Sequence, residues 1–246
     1  MALALPRGAI SAEPEALSQD GRFVAGFSRD RRNASGVLWQ SGDVTRLAPV
    51  SGTTDASALG VNSKGVAVGY SITSDNTLVA TLWQAGKPQP LESGKVATAI
   101  NDSGLVVGLG NGHALVWRDG KVSTLKGGRG QARALSSGGI IGGALEGKPV
   151  VWKNTASEPT LLSLPPGFQG QVMAVNDQGQ ALGVVYNDKH FWPAYWKNGK
   201  PQPIDWLIPS GSNFVEIVPR SLNNQGQMTG VGLTRSGEWR GFIYTS

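Results

Sequence analysis

Short apolar runs alternate with polar, glycine-containing turns along the whole chain. The longest runs have about five to seven residues, whereas a helix that spans a membrane needs about 20. Runs of this length between turn residues predict β-strands. The 35 Gly and 14 Pro among the 246 residues exclude a protein built from long helices. The pattern therefore indicates a folded, all-β chain without a membrane span.

One polar turn recurs six times. Its fullest form reads Asn-Asp-x-Gly, and its glycines lie 35 to 47 residues apart, at Gly21, Gly65, Gly104, Gly139, Gly179 and Gly226. An Asn or Ser at the first position can bond the backbone ahead of it, and the glycine accepts the left-handed conformation that closes a short hairpin. A period of about 40 residues is typical of one blade of a β-propeller.

A bulky ring follows each turn and marks a second strand. The six rings are Trp39, Trp83, Trp117, Trp152, Trp196 and Tyr244, and we expect them to pack between neighbouring blades. Beyond most of them a Gly-led turn opens a further short run, over residues 42–47, 86–91, 120–125 and 199–204. Each repeat thus predicts four strands.

The two ends of the chain predict how the repeats close. The sixth repeat stops after Tyr244 without a fourth strand, and the N-terminal segment MALALPRG resembles the fourth-strand segment at residues 161–167. We expect the N-terminal strand to complete the last blade and remove the open sheet edges. The fold class predicted is a six-bladed β-propeller of four-stranded blades, with residues 1–246 forming a single domain and a monomer.

The repeat resembles a known family. The string Ala-x-x-Asn-x-x-Gly, followed by aliphatic residues and Gly and then by HALVW at His113–Trp117, is similar to the repeats of HAF-repeat proteins. The resemblance implies a propeller of bacterial origin with a periplasmic or extracellular location, and it implies little about function. Five of the six repeats lack the His, which argues against a repeated His-based function.

Composition limits the chemistry that the chain can support. The net charge of +5 is spread without a dominant basic run, which argues against nucleic acid as a partner. The absence of Cys excludes disulfides and thiolate metal sites. Each Asn-Asp turn offers one or two oxygens, whereas calcium takes six to eight. With two His and neither a Gly-x-Ser-x-Gly nor a His-Glu-x-x-His motif, we expect no metal and no cofactor.

The repeats differ most in loops that share one face of the predicted propeller, in blades five, six and one. These loops and the adjoining connections hold the candidate partner-binding residues Arg29, Arg31, Arg32, Phe168, Asp188, Lys189, His190, Phe191, Trp192, Phe214, Glu216, Glu238, Trp239 and Arg240. Aromatic residues and Arg are enriched at interaction hot spots. In the alternative interpretation, Trp192 and Trp239 fold onto the blade edges and the Arg side chains are only solvated.

Three functions are open at this point. The leading hypothesis is a non-catalytic binding propeller whose loops engage a protein partner, such as a surface component, a toxin or an enzyme. The alternative is a carbohydrate-binding or carbohydrate-active protein that stacks a glycan on the same Trp rings. A second alternative is a hydrolase that uses channel carboxylates, for which Asp188, Glu216 and Glu238 are candidates and His190 is the best acid-base residue.

Overall fold

The computed structural model describes residues 3–202 and 211–245, and all the regular structure in these ranges is antiparallel β-sheet. The chain divides into two compact units, residues 1–125 and 126–246. The expected single domain over 1–246 stays a prediction.

The first unit holds blades one and two and most of blade three. Blades one and two are four-stranded sheets in chain order, as predicted. The strands are β1 (Ser11–Leu17), β2 (Phe23–Arg29), β3 (Ala34–Gln40), β4 (Asp43–Leu47), β5 (Asp55–Val61), β6 (Ala67–Ile72), β7 (Leu78–Gln84), β8 (Lys87–Pro90), β9 (Val96–Ile100), β10 (Val106–Gly110), β11 (His113–Arg118) and β12 (Lys121–Leu135). The division between the units falls within β12, whose pairs with the next strand begin at Gly130.

The second unit holds the remaining blades. Its strands are β13 (Ile141–Leu145), β14 (Lys148–Trp152), β15 (Thr160–Leu161), β16 (Gln169–Val175), β17 (Ala181–Tyr186), β18 (Phe191–Lys197), β19 (Lys200–Gln202), β20 (Phe214–Leu222), β21 (Met228–Thr234) and β22 (Trp239–Tyr244). Blade five has four strands, while blade six has three within the described ranges. The run predicted over 199–204 begins as β19, and its end at Ile204 lies outside the described residues.

The recurring turn adopts the predicted conformation. In blade two, the side-chain oxygen of Asn62 accepts hydrogen bonds from the backbone N–H groups of Lys64 and Val66, both at 3.1 Å, and Gly65 has a φ of 72°. The same Asn also donates its amide N–H to the carbonyl oxygen of Asn101 in blade three, at 3.3 Å. The turn therefore shapes its own hairpin and ties one blade to the next.

A second glycine in each repeat faces a β-bulge in the first strand of the blade. In blade two the register shifts between Ala58 and Gly60, opposite β6. A Cβ at Gly69 would lie 2.0 Å from the carbonyl oxygen of Ser57, which no side chain can tolerate. Gly26, Gly108, Gly143 and Gly183 show the same 2.0 Å approach to the backbone of their own first strands. The bulge is thus part of the repeat, and only glycine fits opposite it.

The predicted packing of the five Trp rings is confirmed. Trp39, Trp83, Trp117, Trp152 and Trp196 are at most 3% exposed. Each indole N–H donates to a backbone carbonyl that precedes its own blade, and for Trp83 this acceptor is Ala48, at 2.7 Å. The acceptors of the others are Ala4, Glu92, Lys126 and Ser163, at 2.7 to 2.9 Å. Each ring thus anchors its blade to the chain that leads into it.

The prediction of an N-terminal strand is wrong for the described residues, and the closure of the last blade by this segment stays a prediction. Residues 3–10 form no strand, because Pro6 has no N–H to donate and the chain turns where Ala9 donates to the carbonyl of Pro6 at 3.0 Å. The described part of the segment contacts blade one. Ala4 accepts the indole N–H of Trp39, and the Arg7 carbonyl accepts a hydrogen bond from Arg46 at 2.9 Å.

Candidate functional site

The turn between β17 and β18 positions the aromatic residues of blade five. The side-chain oxygen of Asn187 accepts hydrogen bonds from the backbone N–H groups of Lys189 and His190, both at 2.9 Å. The backbone N–H of Asn187 also donates to the carbonyl oxygen of His190, at 2.9 Å. This closed turn leaves Asp188 and Lys189 exposed at its tip and starts β18 immediately afterwards.

Three of the predicted residues come together in an aromatic cluster, which consists of Phe168, His190 and Trp192. The rings of Phe168 and Trp192 are stacked, with centroids 5.1 Å apart and planes 21° apart. The His190 ring lies on Trp192 with a centroid distance of 4.6 Å. Trp192 remains 45% exposed. The cluster is therefore a preformed ring surface that is open to solvent.

A cavity of about 330 Å³ adjoins the cluster and shares Trp192 as one wall. Most of its other walls are apolar, and Ser163 and Gln202 are its polar members. The lining residues are Ser163, Pro165, Val185, Trp192, Pro193, Ala194, Pro201 and Gln202. We call the aromatic cluster and this cavity together the blade-five site. An apolar concavity with a few polar groups is the usual form of a small-molecule site.

The sequence analysis predicted the aromatic residues of this site but not the other residues that line its cavity. Phe168, His190 and Trp192 stand out as aromatic residues in a variable loop, but Ser163 and Gln202 belong to segments 39 residues apart that only the fold brings together. The prolines Pro165, Pro193 and Pro201 were the available signal, because proline adds rigid apolar surface without a backbone donor.

The remaining candidates of the second unit do not join the cluster. Phe191 and Trp239 are exposed, at 63% and 55%. Glu238 pairs with Arg240 at 2.7 Å on the surface, and Glu216 is exposed in β20. The half-buried ring of Phe214 packs edge-on against Phe242, with ring centroids 6.0 Å apart, beside the buried core of blade six, and its role in partner binding stays a prediction.

The blade-one candidates lie in the first unit. Arg29 ends β2, and Arg31 and Arg32 are exposed in the turn that follows. The carboxyl of Asp30 organises this turn by accepting the backbone N–H groups of Arg32 and Asn33, at 2.8 and 2.9 Å. These hydrogen bonds lower the pKa of Asp30, that from Asn33 most.

Residues 3–202 and 211–245 bear on two further features, metal binding and membrane spanning. No three His, Asp or Glu side chains in these ranges stand close enough to share a metal ion. No helix there could cross a bilayer. The carboxylates proposed for hydrolysis are all at the surface.

No protein-family model matches the chain, and no curated protein matches it in sequence. The similarity to solved structures is one of fold. The β-propeller domain of the trilobed protease from Pyrococcus furiosus aligns over 96% of this chain and 81% of its own, with a TM-score of 0.58 and 11% identity. A lectin from Burkholderia pseudomallei aligns over 99% and 84%, with a TM-score of 0.54 and 12% identity.

Acylaminoacyl peptidase from Pyrococcus horikoshii aligns over 96% of this chain, with a TM-score of 0.55 and 12% identity. This chain spans only 44% of that peptidase. At these identities the likeness concerns architecture alone. The antiparallel four-stranded repeats and these matches together show that the chain has an all-β propeller fold.

Proposed function

We propose that the protein is a carbohydrate-binding propeller and that the blade-five site holds the sugar. One observation carries the proposal: the half-exposed ring of Trp192, which stacks on Phe168 and contacts the tilted ring of His190, forms a wall of the adjoining cavity. A pyranose has apolar C–H faces that pack on an aromatic ring, and its hydroxyl groups need a few polar partners such as Ser163 and Gln202.

The size of the cavity limits the ligand. A volume of about 330 Å³ is near the lower end of ligand pockets, which span roughly 300–1,000 Å³. We therefore expect a mono- or disaccharide unit to occupy the site rather than a long stretch of polymer. The lectin among the structural matches supports this class of function.

The test compares two exposed tryptophans. Trp192→Ala removes the ring shared by cluster and cavity, whereas Trp239→Ala removes a ring of similar exposure outside them. On a glycan array followed by titration, Trp192→Ala should weaken binding at least about tenfold, because a buried aromatic contact contributes about 2 kcal/mol. Trp239→Ala should bind like the intact protein. Absence of any glycan bound, or equal loss in both variants, overturns the proposal.

A protein partner is the second candidate, favoured by a different observation. Phe191 and Trp239 are large apolar side chains that stay exposed beside charged residues of the second unit. Exposed aromatic residues of this kind mark protein interfaces. Affinity capture from the source organism with the intact protein and with a Phe191→Ala, Trp239→Ala variant tests this candidate. A partner recovered only by the intact, folded protein supports it, and identical recoveries exclude it.

We also propose that the chain forms six blades and is exported. Six copies of the turn and of the ring position support the blade number. The exported location rests on the resemblance to HAF-repeat proteins.

A further inference from the structure

A second cavity lies in the first unit, between blades one and two, and the proposed function leaves it unused. Its volume is about 160 Å³. Its walls include the rings of Phe27 and Tyr70, the charged side chains of Arg29 and Asp55, and Ser57. An apolar cavity of about 150 Å³ accommodates benzene, so this one has room for a single six-membered ring. We call it the blade-one cavity.

Arg29 is the group in this cavity that is prepared for a ligand. Its guanidinium lies 5.1 Å from the centroid of the Phe27 ring. Within the described ranges the guanidinium makes no hydrogen bond and no ion pair with the protein. A ring under the guanidinium holds it in one orientation and leaves its forked N–H donors free. A carboxylate is the partner that fits such a fork with two parallel hydrogen bonds.

Asp55 decides what the rest of the ligand can be. One of its carboxylate oxygens accepts the backbone N–H of Ala34 at 2.5 Å, and the other accepts the hydroxyl of Thr54 at 2.7 Å. These bonds fix the carboxylate in place, and its remaining lone pairs can only accept hydrogen bonds. The Asp55 carboxylate would repel a second anionic group on the ligand, whereas it would accept hydrogen bonds from hydroxyl groups.

The loop that follows Arg29 is organised by its own carboxylate. Arg31 and Arg32 are exposed in it, and Asp30 within the loop is already engaged by backbone N–H groups. The Nη1 atom of Arg46 lies 3.8 Å from the Oδ2 atom of Asp30. Asp30 is thus held by partners other than Arg29.

We propose that the blade-one cavity binds a uronic acid, a monosaccharide that carries one carboxylate. The carboxylate pairs with Arg29, the ring lies against the aromatic walls, and hydroxyl groups donate to Asp55. The ring size, the free guanidinium and the fixed acceptor each point to this class of ligand. The proposal stands independently of the blade-five site, which is in the other unit.

The test is a calorimetric titration of the intact protein with D-glucuronate, D-galacturonate, D-glucose and L-glutamate at near-physiological salt. We expect at least one uronate to bind, and D-glucose to bind at least about tenfold more weakly because it lacks the charged group. L-glutamate shares the carboxylate and lacks the sugar ring. It should also bind more weakly than the uronate.

Variants locate the binding. Arg29→Gln should weaken uronate binding at least about tenfold, and Arg29→Lys should weaken it less than Gln does, because Lys keeps the charge and loses the fork. Arg31→Gln, a neighbouring exposed Arg, is the matched control and should change binding less than twofold. Trp192→Ala should leave it unchanged, which separates this site from the blade-five site.

Four results would overturn the proposal. They are the absence of uronate binding to the intact protein, equal binding by the folded Arg29 variants, equal weakening by Arg31→Gln, and tighter binding of L-glutamate than of either uronate. Thermal melting of each variant establishes that it is folded. If Arg29→Gln does not fold, the comparison of Arg29→Lys with Arg31→Gln decides the outcome.

Discussion

At the scale of single residues, the second position of the recurring turn has a role that its variability conceals. In the second unit, Asp177 accepts hydrogen bonds from the Ser137 hydroxyl at 2.6 Å, the Gly138 N–H at 2.7 Å and the Asn224 side chain at 2.7 Å. The Asn224 amide also reaches Ser137 at 3.1 Å. Three successive blades therefore meet at one carboxylate.

This arrangement shifts the acidity of Asp177. Burial raises the pKa of the carboxyl, but the hydrogen bonds from Ser136, Ser137, Gly138 and Asn224 together outweigh burial and hold the pKa at about 2. The ordinary value is 3.8, so the folded protein binds this proton less readily than the unfolded chain does. The stabilisation by Asp177 is complete above the ordinary pKa and is lost as the pH falls toward the folded value.

Asp177→Asn should therefore remove part of the acid sensitivity of folding. Between about pH 4 and pH 2 the urea midpoint of the intact protein should fall, and that of the variant should fall less. Asp188→Asn, a change at an exposed loop tip without such hydrogen bonds in the described structure, is the control and should follow the intact protein. Parallel curves for all three proteins would show that the carboxylate does not link the blades.

At the scale of elements, the strand pair at the start of each blade depends on its bulge. The glycine opposite the bulge allows the first two strands to approach, because any Cβ there would meet backbone atoms that cannot swing aside. The repeated glycine was visible in the sequence as the end of each apolar run. The sequence did not show why glycine is needed there, because a bulge is a property of two paired strands.

Gly69→Ala should destabilise the protein by about 2 to 4 kcal/mol, since the strand must shift to relieve a contact of 2.0 Å with the Ser57 carbonyl. Chemical denaturation monitored by circular dichroism measures the change. Gly241→Ala is the matched control, because the nearest atom to its new Cβ is 3.9 Å away. The control should stay within about 0.5 kcal/mol of the intact protein. A mild effect at Gly69 would mean that the bulge can move at little cost.

At the scale of the whole molecule, each blade is tied to the chain that leads into it. The indole of Trp39 bonds the Ala4 carbonyl as the other four buried Trp rings bond their own preceding segments. The acceptors of the other four Trp rings lie in or just after the fourth strand of the preceding blade. Ala4 has the same role for Trp39, although residues 3–10 form no strand.

Deleting residues 1–8 should lower the free energy of unfolding by about 1 to 3 kcal/mol, because Trp39 and Arg46 lose their backbone acceptors at Ala4 and Arg7. Urea denaturation measures the loss. In a Trp39→Phe background, which lacks the indole donor, the same deletion should cost less. An equal cost in both backgrounds would show that the Trp39 bond is not what the segment contributes.

The sequence by itself determined the repeat, the turn chemistry and the buried Trp positions, because each depends on residues close together along the chain. Asn62 and Gly65, for example, shape a hairpin from within one turn. Tertiary structure alone decided which blades the turns join and which of the predicted residues form sites. Trp192 lines one cavity with Ser163 and Gln202, and Arg29 lines another with Asp55. The residues of each cavity come from segments that are apart along the chain, so the packing of the blades and not the local sequence brings them together.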